Sequence, residues 1–587
     1  MSLSVSAVLV LISIGASFAS AGLALAADRY PALLRRIVFP LLGLSGIASV
    51  GACLSVLGGA PGFTVSLPLG LPWLQWHLQL DTLAGFFLGI IGIITFAISL
   101  FTPGYAREYM HSDYSLAVLG LTTGLFIAGM QIVVIAADAY VFMVAWELMS
   151  VASYFLVAYE HQEAANRRAA FLYLLMAQVG ALFIMLSFGV LAAFAGDFTF
   201  ESIRATPLSP LWAAITFSLG LIGFGMKAGI VPLHVWLPEA HPVAPSHASA
   251  LMSGVMLKVA VYGFVRLAFD LLGVPHWGWG IVLLIVGSVT SLYGVLYALM
   301  QHDLKRLLAY HSVENIGIIF IGLGLSMIFF STGLPAFGVL GLIAALYHTL
   351  NHALFKSLLF LGAGALLQRG HERNLEHMGG LIHRMPWTAL FFLIGCISIS
   401  ALPPFNGFVS EWLTFQTALQ ATSLQSGVLR AVIPITAAML ALSGALAAAC
   451  FVKVYGIAFL GQARSRRVRH AHEASPGMVT AQGLLAVLCL VFGVLPTTTV
   501  SALGRIVKDL TGHEALAATQ EGWLWLTPVS PDVASYSAPM VLFGILIVLV
   551  VWAVVYSVMR KRRLARPVPD VAPWDCGFGP LEPRMQY

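Results

Sequence analysis

Apolar runs of about 20 residues recur from one end of the chain to the other, separated by short segments that hold most of the charge. A run of that length is what a helix needs to cross a bilayer core of about 30 Å. About fifteen can be marked, from 5–26 and 37–59 at the start to 478–500 and 537–558 at the end. Several, among them 211–239 and 386–422, are too long for one straight helix. The first, within Met1 to Ala27, lacks the basic start of a cleaved signal peptide and reads as the first span. The pattern predicts an all-α integral membrane protein.

Composition excludes a soluble chain: 59% of the 587 residues are hydrophobic and 9% charged, against about a quarter charged in soluble domains. The basic residues give direction. With the N-terminus outside, the inward loops collect Arg29, Arg35, Arg36, Arg107, Arg167, Arg168, Lys305, Arg306, Arg369, Arg373 and Arg384. Arg464, Arg466, Arg467, Arg469 and a tail with Arg560, Lys561, Arg562, Arg563, Arg566 and Arg584 fall on the same side. The other side receives Arg204, Arg266, Arg430, Arg505 and Lys508. This positive-inside bias predicts an odd number of spans, the N-terminus outside and the C-terminus in the cytoplasm. The net charge of +5 expresses that topology and not nucleic-acid binding.

Cys53, Cys396, Cys450, Cys489 and Cys576 stand singly, with no C-x-x-C pair. Iron–sulfur and zinc sites want clustered thiolates, and no dinucleotide fingerprint joins a strand to a helix. No metal and no cofactor are expected, and redox chemistry is assigned to partner subunits.

The informative residues are the ionisable ones inside the spans. Lys227, Lys258, Lys356 and Lys453 remain at membrane depth, with Glu147 in the fifth span, Glu314 in the tenth and Glu411 in the twelfth. His348, His352 and Lys356 are spaced by four, so they form one stripe about 12 Å long on a helix face. A lysine at the bilayer centre costs about 2.5–3.5 kcal/mol on insertion scales, and such groups call for paired acids or a wet path. Glu, Lys and His along a mid-membrane line make a chain of proton donors and acceptors. Plainer readings exist. Glu147 and a lysine also suit a structural ion pair, and Lys453 reads as snorkelling from a span end. His311 and Glu314 lie close to Lys305 and Arg306 and suit the water interface, and His234, His241 and His247 suit a Pro-rich loop. Pro232 and Pro238 interrupt the seventh span and Pro403 and Pro404 the twelfth. Such breaks are tolerated at membrane depth where they line a cavity or are buried, and paired breaks point to a transport site within inverted repeats.

Four ordered segments carry a family resemblance: GFGMKAGIVPLHVWLPEAHPVAPSHASALMSGVMLKVAVYG (223–263), LYALMQHDLKRLLAYHSVENIGII (296–319), LYHTLNHALFKSLLFLGAGAL (346–366) and ALPPFNGFVSEW (401–412). They resemble the antiporter-type proton-pumping subunits of Complex I, and more closely those of hydrogenase-4 and formate hydrogenlyase. The tail PWDCGFGPLEPRMQY (573–587) resembles the hydrogenase-4 group within that family, in which the chain continues past this motif. The breaks at the seventh and twelfth spans lie five spans apart, which fits helices 1–3 in 1–110, a five-helix repeat in 111–272, a second in 273–462, and helices 14–15 with a cytoplasmic tail in 463–587. The resemblance implies that Glu147 and Lys227 form an input charge pair and Lys258 a central relay. His348, His352 and Lys356 would continue the axis to Glu411, with His234, His311 and Glu314 as accessory candidates.

The function expected is a non-redox, proton-translocating subunit of a hydrogenase- or NADH dehydrogenase-like complex in a bacterial inner membrane, with other membrane subunits as partners. The alternatives are a subunit of a Na⁺/H⁺ antiporter or of a CO₂-uptake complex, or a structural membrane anchor.

Overall fold

In the computed structural model, residues 4–71, 74–273, 275–515 and 522–561 are described; the tail motif at 573–587 and Cys576 lie outside them. Among the described residues, fourteen helices are long and apolar enough to cross a membrane. The first group holds α1 (Val5–Ala26), α2 (Pro31–Leu57) and α3 (Thr82–Tyr105). Then come α4 (Leu116–Ile135), α5 (Ala139–Val157), α6 (Ala164–Ala195), α7 (Pro210–Ala228) and α8 (Ser246–Leu271). Three more, α9 (Trp277–Leu299), α10 (Leu304–Ser331) and α11 (Pro335–Gly370), follow without a break in pattern. The next crossing is split into α12 (Pro386–Ile399) and α13 (Asn406–Leu419). The described residues close with α14 (Gly427–Phe459), α15 (Pro476–Val494), the shorter amphipathic α16 (Pro496–Thr511) and α17 (Ala538–Lys561). Counting the split helix once, the multi-pass expectation of about fifteen spans is met.

One element has no counterpart in the sequence reading. β1 (Phe63–Leu71) and β2 (Leu74–Leu80) pair antiparallel as a hairpin between α2 and α3, with an irregularity between Leu67 and Gly70.

The connections sort into two faces. On the hairpin face, His77 N–H donates to Asp138 Oδ2 (2.7 Å), Arg266 pairs with Asp81 (2.7 Å) and Arg505 Nη1 donates to Leu57 O (2.7 Å). On the opposite face, Tyr109 donates to Glu160 (2.9 Å), Arg373 pairs with Asp303 (2.5 Å) and the Trp387 N–H donates to Glu473 (2.8 Å). Successive loops alternate between these sets, as regular crossings require.

Polar side chains join the helices where the hydrophobic effect cannot. Gln131 of α4 is fully buried; its Nε2 donates to Ser13, Ser45 and Ser49 (2.8, 2.8 and 3.2 Å) while Oε1 accepts from Ser17 (3.1 Å). That knot ties α1, α2 and α4 together.

Both broken helices end for local reasons. After Ala228 the chain enters Gly229 at φ +87°, a left-handed cap that closes α7 just past Lys227. Freed backbone groups then find side chains: Trp236 Nε1 donates to Met226 O (2.8 Å), and Val231 N–H donates to Thr290 Oγ1 (3.1 Å). The α12–α13 break runs through Ala401 at φ +51°, and Asn351 Nδ2 donates to Asn406 O (2.8 Å). The second break is only partly enclosed: Leu402 and Pro403 are exposed, while Pro404 and Asn406 are buried.

Candidate functional site

The four segments that carry the resemblance meet in the interior of α5–α8, α10, α11 and α13. Lys227 is 3% exposed; its Nζ donates to Ser150 Oγ of α5 (3.0 Å) and to Tyr173 Oη of α6 (2.9 Å). Glu147 is half-buried one turn before Ser150 and accepts from Gln178 Nε2 (2.8 Å). The two expected members of the charge pair thus form no direct ion pair: the ammonium rests on two hydroxyls, one helical turn from the carboxylate. Tyr173 Oη also bonds Ser153 Oγ (2.5 Å) and approaches Met256 Sδ of α8 (3.4 Å), and the Lys227 ammonium lies 4.9 Å from its ring centroid.

Lys258 is fully buried on α8, which is π-helical over Met252–Met256, and its Nζ donates to Ser253 O (2.5 Å). Single π turns recur at functional sites. Ser253 Oγ bonds Ser312 Oγ of α10 (2.8 Å), which carries the polar line across the middle of the molecule. There the water-interface reading of His311 and Glu314 is overturned: they are 0% and 1% exposed, deep in α10. His311 Nδ1 bonds Glu314 Oε2, and Glu314 Oε1 accepts from Ser443 Oγ (3.1 Å). Asn315 reaches the α11 stripe, its Oδ1 bonding His348 Nε2 (3.1 Å), while His348 Nδ1 meets Ser410 Oγ of α13 (3.0 Å).

His348, His352 and Lys356 are buried together as the spacing predicts. His352 and the Lys356 ammonium make no hydrogen bond to the described residues. Glu411 follows Ser410 directly, is 6% exposed, and faces Gly444 of α14. It is enclosed by protein and not set in the open cavity that a helix break suggests.

The histidines of the α7–α8 connection divide. His241 and His247 are fully buried with both ring nitrogens unpartnered, which corrects the loop reading, and His234 is 6% exposed against the Tyr293 ring. Lys453 donates to Leu299 O (3.0 Å) near a span end, as expected of a snorkelling group. Lys305, counted with the basic loops, is 2% exposed and donates to Ala244 O (2.5 Å).

Ser150, Tyr173, Gln178, Ser253, Ser312, Asn315 and Ser410 were missed. Each is an uncharged partner, and a hydroxyl or amide in an apolar run gives little warning. The usable signal was proximity to a charge: Ser150 lies one turn from Glu147, Asn315 adjoins Glu314, and Ser410 precedes Glu411. Among the described residues no group of His, Cys, Asp or Glu could hold a metal ion.

The sequence profile described as NADH:quinone oxidoreductase/Mrp antiporter, transmembrane, matches residues 136–439. Hydrogenase-4 component B of Escherichia coli (strain K12) is 41% identical over 507 residues, 86% of this chain and 74% of that protein. Formate hydrogenlyase subunit 3 of the same strain is 33% identical over 544 residues, 91% of this chain and 84% of that one. Among solved structures, a chain of the membrane-bound sulfane sulfur reductase, an archaeal respiratory membrane complex, superposes with a TM-score of 0.81 at 25% identity, covering 98% of this chain and 88% of its own.

Proposed function

The chain belongs to the NADH:quinone oxidoreductase/Mrp antiporter transmembrane family, and on that footing we propose that it carries protons across a bacterial inner membrane as a subunit of a redox-driven, hydrogenase-like complex. The observation that carries the reading is the buried polar line from Lys227 through Lys258, Glu314 and His348 to the neighbourhood of Glu411. Ionisable groups so deep in a membrane protein are costly, and they pair inside the bundle where they mark ion pathways.

In this reading Lys227 alternates between the Glu147 carboxylate and the seat formed by Ser150 and Tyr173. Away from Glu147 it loses an opposite charge while still desolvated, and its hold on the proton weakens. The proton passes to the Lys258 amine, and the line of His311, Glu314, Asn315, His348, His352 and Lys356 continues it towards Glu411. The unpartnered nitrogens of His352 and Lys356 are places where water completes the path, because buried polar groups need partners. Partner subunits supply the redox energy, against a cost of about 2.3 kcal/mol per charge per 100 mV. The breaks at α7 and α12–α13 lie five crossings apart, which supports two repeats, α4–α8 and α9–α14. The arginine bias supports an outward hairpin face, with the N-terminus outside and the C-terminus in the cytoplasm.

The test is direct. Glu147→Gln and Lys227→Ala should leave the protein inserted and assembled but abolish redox-driven acidification in reconstituted vesicles. Pumping at the wild-type rate in both variants rejects the reading. The antiporters within the family favour one second reading, cation/proton exchange, and Na⁺ uptake driven by a pH gradient in vesicles lacking a redox partner would select it.

A further inference from the structure

A second polar stripe lies on α8, outside the line already described. Lys258, Tyr262, Arg266 and Asp270 are spaced by four, so they share one face and run from the central lysine towards the hairpin face. Arg266 is 5% exposed and fully engaged. Nη1 pairs with Asp81 (2.7 Å) and with Asp270 (2.9 Å), and Nε and Nη2 donate to Tyr262 Oη (3.3 and 3.2 Å). Tyr262 is fully buried, donates to Val134 O (2.6 Å), and meets the Phe87 ring at 5.3 Å. Arg204 also holds Asp270 through two hydrogen bonds (2.6 and 2.8 Å), sharing Oδ2 with Arg266. Burial of the Asp81 carboxyl opposes its ionisation, yet Arg266, the Ala84 N–H and Arg204 together hold it below the ordinary carboxylate range.

Asp81, Arg204, Arg266 and Asp270 of this cluster line a cleft of about 840 Å³ between the hairpin, the end of α8 and α16. Arg266, 5% exposed, is where that cleft meets the buried face of α8. From there to Lys258 the backbone distance is eight residues, about 12 Å, and Tyr262 is the stripe's one polar group between them. A pump so nearly open on the face towards which protons are driven would short-circuit. Guanidinium does not deprotonate in proteins, so it cannot relay a proton, and a fixed positive charge in a narrow path repels one.

We propose that Arg266, locked between Asp81 and Asp270, is a fixed-charge plug that insulates Lys258 from the cleft and stops protons returning along α8. The inference rests on the proton-carrying reading above and assigns these residues to insulation, not to transport. Arg266 is a positioning and barrier residue and hands on no proton.

The experiment uses the intact complex in vesicles loaded with a pH-sensitive dye, with a potential imposed by a potassium gradient and valinomycin. The combined variant Asp81→Asn with Arg266→Gln leaves Asp270 paired with Arg204 and strands no charge, so it preserves the fold. It should raise passive proton entry several-fold over wild type, while Arg266→Lys, which keeps the charge, stays tight. Adding Lys258→Met to the leaky variant should close the leak again. A double variant as tight as wild type overturns the plug, as does a leak that survives Lys258→Met. Redox-driven pumping, and its loss in Lys227→Ala, is scored separately in the same vesicles, so failure of the transport reading is distinguishable from failure of the plug.

Discussion

A carboxylate with both oxygens occupied inside a membrane, as in Glu314, is either a structural clasp or a station for a proton. Its partners distinguish these roles. Ser443 satisfies one oxygen, and His311, whose other ring nitrogen has no partner, satisfies the second. Glu314→Gln preserves size and the bond from Ser443 but removes the titrating group. Positioned proton donors and acceptors contribute roughly a hundredfold or more in rate, so proton flux should fall by about that factor while assembly and thermal stability stay close to wild type. Flux near wild type would reduce Glu314 to a clasp. The interface reading failed through a boundary error. α10 begins at Leu304, so Glu314 lies ten residues in, about 15 Å from the helix end, and the nearby Lys305 is itself buried. The α11 stripe was legible because three polar residues at one helical spacing have no apolar explanation. The hydroxyls that hold Lys227 were harder to read, because a serine or tyrosine costs so little in a helix that only nearness to a charge, as of Ser150 to Glu147, marks it.

At the level of elements, the helices were written in hydropathy and the breaks in Pro and Gly, but the hairpin was hidden. Its strands hold Pro68 and a bulged register, and a short apolar stretch between two spans looks like an unfinished span. What sets the distance between helices is also unwritten in hydropathy. Gly280, Gly287 and Gly294 recur every seven residues on α9 against α10. A Cβ on Gly287 would come to 2.8 Å from Gly317 O, and one on Gly294 to 2.5 Å from the Glu314 backbone nitrogen. This close seam of small residues, a common device between membrane helices, fixes where Glu314 stands relative to α9. Gly287→Val forces the backbones apart and should cost about 1–3 kcal/mol, the usual range for overpacking. Thermal unfolding in detergent measures it. A Cβ added to Gly189 on α6 would meet nothing within 4 Å, so Gly189→Val should be nearly silent, and equal losses in both variants would argue against the seam.

For the whole molecule, the decisive property is sidedness, because a proton path has direction only if the two faces are distinct. The loop contacts divide the connections into two groups that alternate along the chain, with the α12–α13 pair acting as one crossing. Residues 332–334 and 423–426 line one cleft with Trp277, which keeps the connection after the broken helix on the hairpin face. If the breaks were instead re-entrant turns that return to the face they left, every later loop would change sides and this grouping would fail. The orientation proposed from the arginine excess is then open to a direct test. Reporter fusions after Arg168, Arg306 and Arg469 should read cytoplasmic, and fusions near Ala60 and Ser331 should read outside. Ser331 and Arg469 carry the most weight, since Ser331 closes α10 and Arg469 follows the broken crossing and α14. A cytoplasmic reading at Arg306 with an outside reading at Arg469 would mean that α12 and α13 do not complete a crossing, and Glu411 would then lie at a membrane face with no axis to end. A uniformly reversed pattern would leave the fold intact and turn the plug at Arg266 towards the cytoplasm, where a barrier to returning protons has no purpose.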